Sequence, residues 1–210
     1  MMEHESVVQW VYASKDNEEL ANRYNQWSKS YDNDLARDFD WKGHILCADT
    51  LTQYVMQNET IIDVGCGTGL CGTEMVNRGY SSIDGFDLSE GMLNEARSLN
   101  IYNDLRKGIL GETLEYDSNS YDAAVAAGVF SQGHAPASGW DEVVRIIKPN
   151  GHFILTIRAD SYELLGFKEK HQELIDSKKI ELLESSPPMQ LLPKGEPDVH
   201  HIIRVYKVLK

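Results

Sequence analysis

Residues 60–72 read TIIDVGCGTGLCG, and the fold turns on how this stretch is understood. Ile61–Val64 is short, rich in β-branched residues and closed by glycine, the pattern of a strand buried inside a sheet. Gly65, Gly67 and Gly69 follow at alternate positions. Without Cβ atoms the chain can turn sharply there, and a ligand can approach the bare backbone. One acid, Asp63, stands at the junction. The stretch therefore raises a chemical question: which small molecule needs exposed backbone with a carboxylate just ahead of the glycines?

Outward from this point, strand and helix alternate. Ile83–Phe86 repeats the buried-strand pattern and ends at Asp87. Ser89 is placed to cap a helix whose Met92, Leu93, Ala96 and Leu99 share one side. A weaker strand is read over Leu105–Ile109, and a small-residue strand over Ala123–Phe130. Trp140, Val143, Val144 and Ile147 form a helical face that Lys148-Pro149-Asn150-Gly151 stops, and His152–Ile157 follows as a strand. Ser161–Ser177 reads as one helix. Lys179–Leu183 and Val199–Leu209 read as strands that pair as a hairpin at the sheet edge, with a proline-rich loop between them. Upstream, Leu20, Tyr24, Trp27 and Tyr31 fall at helical spacing, as do Ile45, Ala48, Thr52 and Val55. The alternation predicts an α/β chain with an open, mostly parallel sheet and helices on both faces.

The bulk properties narrow the partners. The 210 residues suit one domain, and 41% hydrophobic with 25% charged residues is an ordinary globular composition. The opening MMEHESVVQW is acidic and broken, and no apolar run approaches membrane-spanning length, so no membrane partner is expected. A formal net charge of −13 without a Lys/Arg cluster opposes docking on a phosphate backbone, so no nucleic acid is expected. Cys47, Cys66 and Cys71 are few and odd in number, which suits a reducing, cytoplasmic compartment. Cys66 and Cys71 lack the second Cys/His pair of a zinc site, so no metal is expected.

Gly67, Gly69 and Gly72 make a literal G-x-G-x-x-G, the spacing of a dinucleotide site. Asp63 argues against it, because a carboxylate before the glycines would repel a pyrophosphate but would tolerate a ligand with a cationic end. Asp87 is placed to accept both hydroxyls of a ribose, a role that NAD binders share. The chain is also short for a dinucleotide domain plus a catalytic one.

Four segments in order, Asp63–Gly69, Gly85-Phe-Asp-Leu-Ser-Glu-Gly-Met-Leu93, Asn119-Ser-Tyr-Asp122 and Ile147-Lys-Pro-Asn-Gly151, resemble class I S-adenosylmethionine-dependent methyltransferases. Tyr24-x-x-Trp27-x-x-x-Tyr31-Asp32 is similar to the lid helix of the methyltransferase-like group named for the Williams–Beuren region of the human genome. The resemblance implies a Rossmann-like, seven-stranded, mostly parallel sheet with an antiparallel last strand. It implies a single methyltransferase domain over 1–210, with a helical lid segment at 1–57 and a core at 58–210, and S-adenosyl-L-methionine as cofactor.

By the same resemblance, Gly65, Gly67 and Gly69 receive the methionine moiety and ribose. Asp63 supports the amino-group end, Asp87 takes the ribose hydroxyls, and Leu88 and Met92 pack on the adenine. Many members carry an acid where this chain has Leu110; backbone at Leu110 and Gly111, or the Glu112 side chain, is then left to hold the adenine edge. Tyr24, Trp27 and Tyr31 form the lid, with Tyr24 or Tyr31 donating to the methionine carboxylate and Trp27 walling the transfer pocket. Gly128, Phe130, Ser131 and His134 follow the fourth strand, where substrate-facing residues arise. His134 is the candidate general base and Tyr31 the other candidate catalytic contact. Plainer readings stand beside these: Asp87 as a helix cap, Met92 as core, the aromatic trio as packing, His134 as a solvated loop residue. His200 and His201 are read as structural, one inward and one outward.

The expected reaction is in-line attack on an activated methyl group, with the protein aligning the partners. A small-molecule acceptor leads. A protein side chain, or non-catalytic binding of S-adenosylmethionine, are the alternatives.

Overall fold

The computed structural model describes residues 7–210; the first six residues of the expected lid segment lie outside the described residues. Seven strands form one sheet: β1 (Ile61–Val64), β2 (Ile83–Asp87), β3 (Asp104–Lys107), β4 (Tyr121–Phe130), β5 (Ile147–Arg158), β6 (Ile180–Ser185) and β7 (His201–Val208), in the order β3-β2-β1-β4-β5-β7-β6. The first five are parallel, and β7 runs antiparallel between β5 and β6. The expected α/β architecture and the closing strand pair at the sheet edge are both present.

Nine helices accompany the strands among the described residues: α1 (Val7–Tyr12), α2 (Asn17–Trp27), α3 (Tyr31–Asp34), α4 (Gly43–Leu51), α5 (Leu70–Asn77), α6 (Glu90–Ser98), α7 (Gly139–Ile146), α8 (Ala159–Leu164) and α9 (Phe167–Asp176). Successive strand residues point to opposite faces, which divides the core. Ile62, Phe153 and Tyr206 pack with Trp140 of α7 and Leu174 of α9. Ile61, Ile154 and Val205 pack with Leu51 of α4 and Met75 of α5. A third cluster, with Val11, Leu20, Trp27, Phe39 and Leu192, belongs to the N-terminal helices.

Strand order reverses at β1, whose neighbours are β2 and β4. Crossovers leave in opposite directions from such a point and open a crevice at the carboxyl ends of the strands. Asp63 lies there, in register with Gly85 on one side and Val125 on the other.

Several expectations are corrected. The helix read through Tyr31 ends at Trp27, and Tyr31 begins α3; a π-helical turn over Leu35–Phe39 then stops at Asp40, whose φ is 55°. The helix read through Val55 ends at Leu51, and the strand read to Ile109 ends at Lys107. The helix read through Ile147 stops at Ile146, and Ile147–Gly151 belongs to β5: Tyr121 pairs with Ile147 and Ala123 with His152, so the intervening residues bulge out, with Asn150 at φ 69°. The helix read over Ser161–Ser177 is two, α8 and α9, divided at Gly166 with φ 81°. Helix α1 had no counterpart in the sequence reading.

Candidate functional site

Gly65, Gly67 and Gly69 have φ of 62°, 55° and 98°, the left-handed region that favours glycine. A Cβ at Gly65 would meet Val129 at 2.7 Å, whereas at Gly67 nothing lies within 4 Å among the described residues. Gly67 is thus required for its backbone angle, and the space above it belongs to the crevice.

Asp87 braces this turn. Its Oδ2 accepts from the Gly67 N–H at 3.0 Å and its Oδ1 from the Ser89 N–H at 2.8 Å. Burial pushes its carboxyl up to about 6 against the opposing pull of those N–H groups. The helix cap is Ser89, whose Oγ accepts from the Met92 N–H at 3.1 Å, so Asp87 is free of that duty. Ser89 Oγ also donates to Asn25 Oδ1 at 2.7 Å, and the Gly91 N–H donates to the same oxygen at 2.7 Å. One amide oxygen of α2 is therefore held by the first turn of α6.

Asp63 is 1% exposed and accepts from the Tyr102 hydroxyl at 2.7 Å. Burial raises its carboxyl to about 7; the Tyr102 and Gly72 donors oppose this, and the charge of Asp87 reinforces it. Two buried acids that resist ionisation, with no cation paired to either among the described residues, fit a ligand that brings positive charge.

Two cavities meet over the sheet edge. The first runs over Gly67, Asp87, Leu88, Met92 and Leu110. The second lies between Trp27, Trp41, Phe130, Arg158 and His201. Tyr24, Tyr31, Ala127, Gly128 and His134 line both. A smaller recess joins Asp63 and Thr68 to Gly65, Gly67 and Tyr31.

At the junction the Tyr24 hydroxyl is 2.5 Å from His134 Nε2. His134 Nδ1 lies 2.9 Å from the Gln132 carbonyl and 3.0 Å from Ser131 Oγ. Only a protonated Nδ1 satisfies the carbonyl, so Nε2 is the acceptor and Tyr24 donates to it. Burial holds His134 down to about 4, a neutral imidazole. Burial also pushes the phenols of Tyr24 and Tyr31 up, which keeps both protonated.

Most residues singled out from the sequence converge. Tyr24, Tyr31, Gly65, Gly67, Asp87, Leu88, Met92, Leu110, Gly128 and His134 share the first cavity. Others do not join it. Trp27 walls the second cavity, and its indole donates to Asp34 at 2.9 Å. Gly69 starts α5, with its would-be Cβ against Leu99, and Gly111 faces Pro136. His134 is a cavity-lining residue instead of a solvated one. His201 is inward, as expected, but lines the second cavity. Asn25, Thr68 and Tyr102 were missed. Thr68 donates to Asp32 at 2.5 Å, and no local pattern in the sequence marks a contact between residues so far apart.

No group of three or more His, Cys, Asp or Glu residues among those described could hold a metal, and no described helix is long and apolar enough to cross a membrane.

The glycine turn at the switch point, the two buried acids and Leu110 all lie within one stretch that matches a known family. Residues 62–155 match a family described as a methyltransferase domain. The human methyltransferase-like protein 27 is 33% identical over 157 residues, covering 73% of this chain and 63% of the relative. A ubiquinone biosynthesis O-methyltransferase of Alkalilimnicola ehrlichii is 29% identical over 153 residues, covering 71% of this chain and 56% of the relative. The chain thus spans less than two thirds of either curated relative. The crystal structure of a TehB-like SAM-dependent methyltransferase from Corynebacterium glutamicum shares the fold at a TM-score of 0.64 and 17% identity, over 89% of this chain and 98% of that one.

Proposed function

We propose that this chain transfers a methyl group from S-adenosyl-L-methionine to a small-molecule acceptor. The observation that carries the reading is the pair of cavities meeting at Tyr24, Gly128 and His134. One is lined by the glycine turn and Asp87; the other is enclosed by aromatic side chains, a better fit to a small acceptor than to a protein tail.

When bound, the cofactor supplies an electrophilic methyl on a sulfonium sulfur, which leaves as a neutral thioether. The residues present fit it: Asp63 and Asp87 offer the negative charge, Gly65 and Gly67 the bare backbone, Leu88 and Met92 the apolar faces, and backbone at Leu110 the adenine edge. Tyr24 and Tyr31 close the junction and exclude water. His134, neutral and oriented by the Gln132 carbonyl, is the proton acceptor, reached through Tyr24.

Further parts of the proposal rest on separate observations. Asp32–Thr68, Asn25–Ser89 and Tyr24–His134 each tie the 1–57 segment to the 58–210 core, in support of one functional domain. Kinship with the Williams–Beuren group rests on the Tyr24–Asp32 motif, of which Tyr24 and Asp32 make two of these contacts. Free, buried Cys47, Cys66 and Cys71 support a reducing cytoplasmic setting, and the charge of −13 supports the exclusion of nucleic acid.

Titration calorimetry with S-adenosylmethionine and S-adenosylhomocysteine tests the core of this reading. Both are expected to bind wild-type protein, and Asp87→Ala to weaken them by roughly ten- to a hundredfold, the loss of about 1.5–3 kcal/mol expected of a charged hydrogen-bond partner. Failure of both to bind, or indifference to Asp87, would overturn it.

A further inference from the structure

The second cavity has a composition that restricts its occupant. Trp27, Trp41, Phe130 and Tyr31 supply flat aromatic walls, and among the described residues no Asp or Glu lines it. The ionised side chain in this lining is Arg158, at the end of β5. That charge is already offset: Nε and Nη2 donate to Asp160 at 3.0 and 2.6 Å, and Nη1 lies 3.8 Å from Glu196 Oε2. An anionic occupant would face those two acids behind the guanidinium. A cationic one would face Arg158 with no carboxylate in the described lining. Either charge would be desolvated among aromatic rings without a partner of its own.

Across the ladder from Arg158 stands His201, in register with it. His201 is 4% exposed, and its Nδ1 is buried without a hydrogen-bond partner among the described residues. Its ring lines the cavity, edge-on to Trp41 at 5.7 Å. Burial, with Arg158 beside it, holds it down to about 4. A neutral imidazole with an unsatisfied nitrogen calls for a hydrogen-bonding partner. The hydrogen-bonded Tyr24–His134 pair lines the same cavity.

From this juxtaposition we infer that the acceptor is an uncharged, planar phenol-type aromatic, its hydroxyl directed to Tyr24 and His134 and a carbonyl or second hydroxyl directed to His201. The inference rests on the methyltransferase reading above. In the transfer, the phenolic oxygen gains the methyl group as the sulfur–methyl bond breaks and its electron pair stays on sulfur. The phenolic proton passes to Tyr24 Oη as Tyr24 hands its own to His134 Nε2. A basic side chain on a protein, or a free amine, would enter as a cation and is disfavoured by the same charge pattern.

The test uses three catechols of similar size, titrated calorimetrically into the protein with and without S-adenosylhomocysteine: 3,4-dihydroxybenzaldehyde (neutral), 3,4-dihydroxybenzoate (anionic) and dopamine (cationic). The aldehyde is expected to bind at least tenfold more tightly than either charged probe. His201→Leu should weaken the aldehyde about tenfold, leave phenol, which has no second polar group, within twofold, and leave S-adenosylhomocysteine within twofold. The proposal is overturned if a charged probe binds as well as the aldehyde, or if no probe binds while S-adenosylhomocysteine does. Should S-adenosylhomocysteine itself fail to bind, the methyltransferase reading fails, and the ranking of the probes still judges the cavity. The wild-type series needs no variant, so instability of His201→Leu leaves the test intact.

Discussion

Asp63 and Asp87 are carboxyls held where a carboxylate is costly, and this ties pH to both stability and binding. Burial puts them at about 7 and about 6, above the roughly 3.9 of an unfolded Asp. The folded chain therefore holds more protons than the unfolded one between about pH 4 and 7, and these groups lose stability as pH rises through that window. His134 and His201, held down to about 4, act with the opposite sign below the unfolded histidine value of about 6.5. A difference between variants isolates the acid: relative to Asp63→Asn, wild-type protein is expected to lose stability from pH 5 to pH 8. Denaturant melts across that range measure it, and a constant difference would show that Asp63 ionises normally. Binding carries the complementary sign. Affinity for S-adenosylmethionine is expected to fall as pH drops through 7 and 6, because protonated acids no longer attract the cation. The two acids were legible in the sequence because each lies at the carboxyl end of a strand, Asp87 as its last residue and Asp63 one before it. Tyr102, which holds Asp63, was not, since its role depends on the crossing of two distant segments.

At the scale of elements, the site depends on how α2 lies against α6. Asn25 Oδ1 is the shared hinge for Ser89 and Gly91, and a Cβ at Gly91 would come within 2.8 Å of the Asn25 Cα. Backbone cannot yield as a flexible side chain does, so Gly91→Ala should push α2 away from the cavity. We expect a loss of about 1–3 kcal/mol from overpacking, read as a lower unfolding midpoint, with faster proteolysis within residues 17–27 and weaker S-adenosylhomocysteine binding. Unchanged proteolysis would mean that α2 is held by other contacts. The strands were legible because buried parallel strands leave continuous apolar runs bounded by glycine. The helix boundaries were less so. Tyr31 stays in phase with Tyr24 and Trp27, and apolar spacing alone cannot reveal that the helix stops at Trp27, where Trp27 and Ser30 both turn to Asp34. Pro149-Asn150-Gly151 carries every sign of a loop, yet pairing of Ala123 with His152 draws it into β5 as a bulge. Helix α1, VVQWVY, has the composition of a strand and is helical in its tertiary setting.

For the molecule as a whole, the glycine half of the site was readable, whereas of the aromatic half Trp27, Tyr31, Phe130 and His134 were read as site residues and Trp41, Arg158 and His201 were not. The first is built from one contiguous turn and the ends of adjacent strands. The second draws Trp27 and Trp41 from the N-terminal segment, Phe130 from β4 and Arg158 and His201 from the antiparallel ladder, a set that only the finished sheet assembles. Over both lies the field of a chain with net charge −13. S-adenosylmethionine carries one net positive charge at neutral pH and S-adenosylhomocysteine none, so field and buried acids together are expected to favour the cationic form. Exposed charges are screened within about 10 Å at 0.1 M salt, whereas buried ones are screened far less. Raising salt from about 20 to 500 mM should therefore weaken S-adenosylmethionine binding through the surface component, leave S-adenosylhomocysteine nearly unchanged, and narrow the ratio of their affinities without abolishing it. A ratio insensitive to salt would assign the discrimination to Asp63 and Asp87 alone. Equal affinities at every salt concentration would show that neither acid senses the cation, and the electrostatic account of this site would fail.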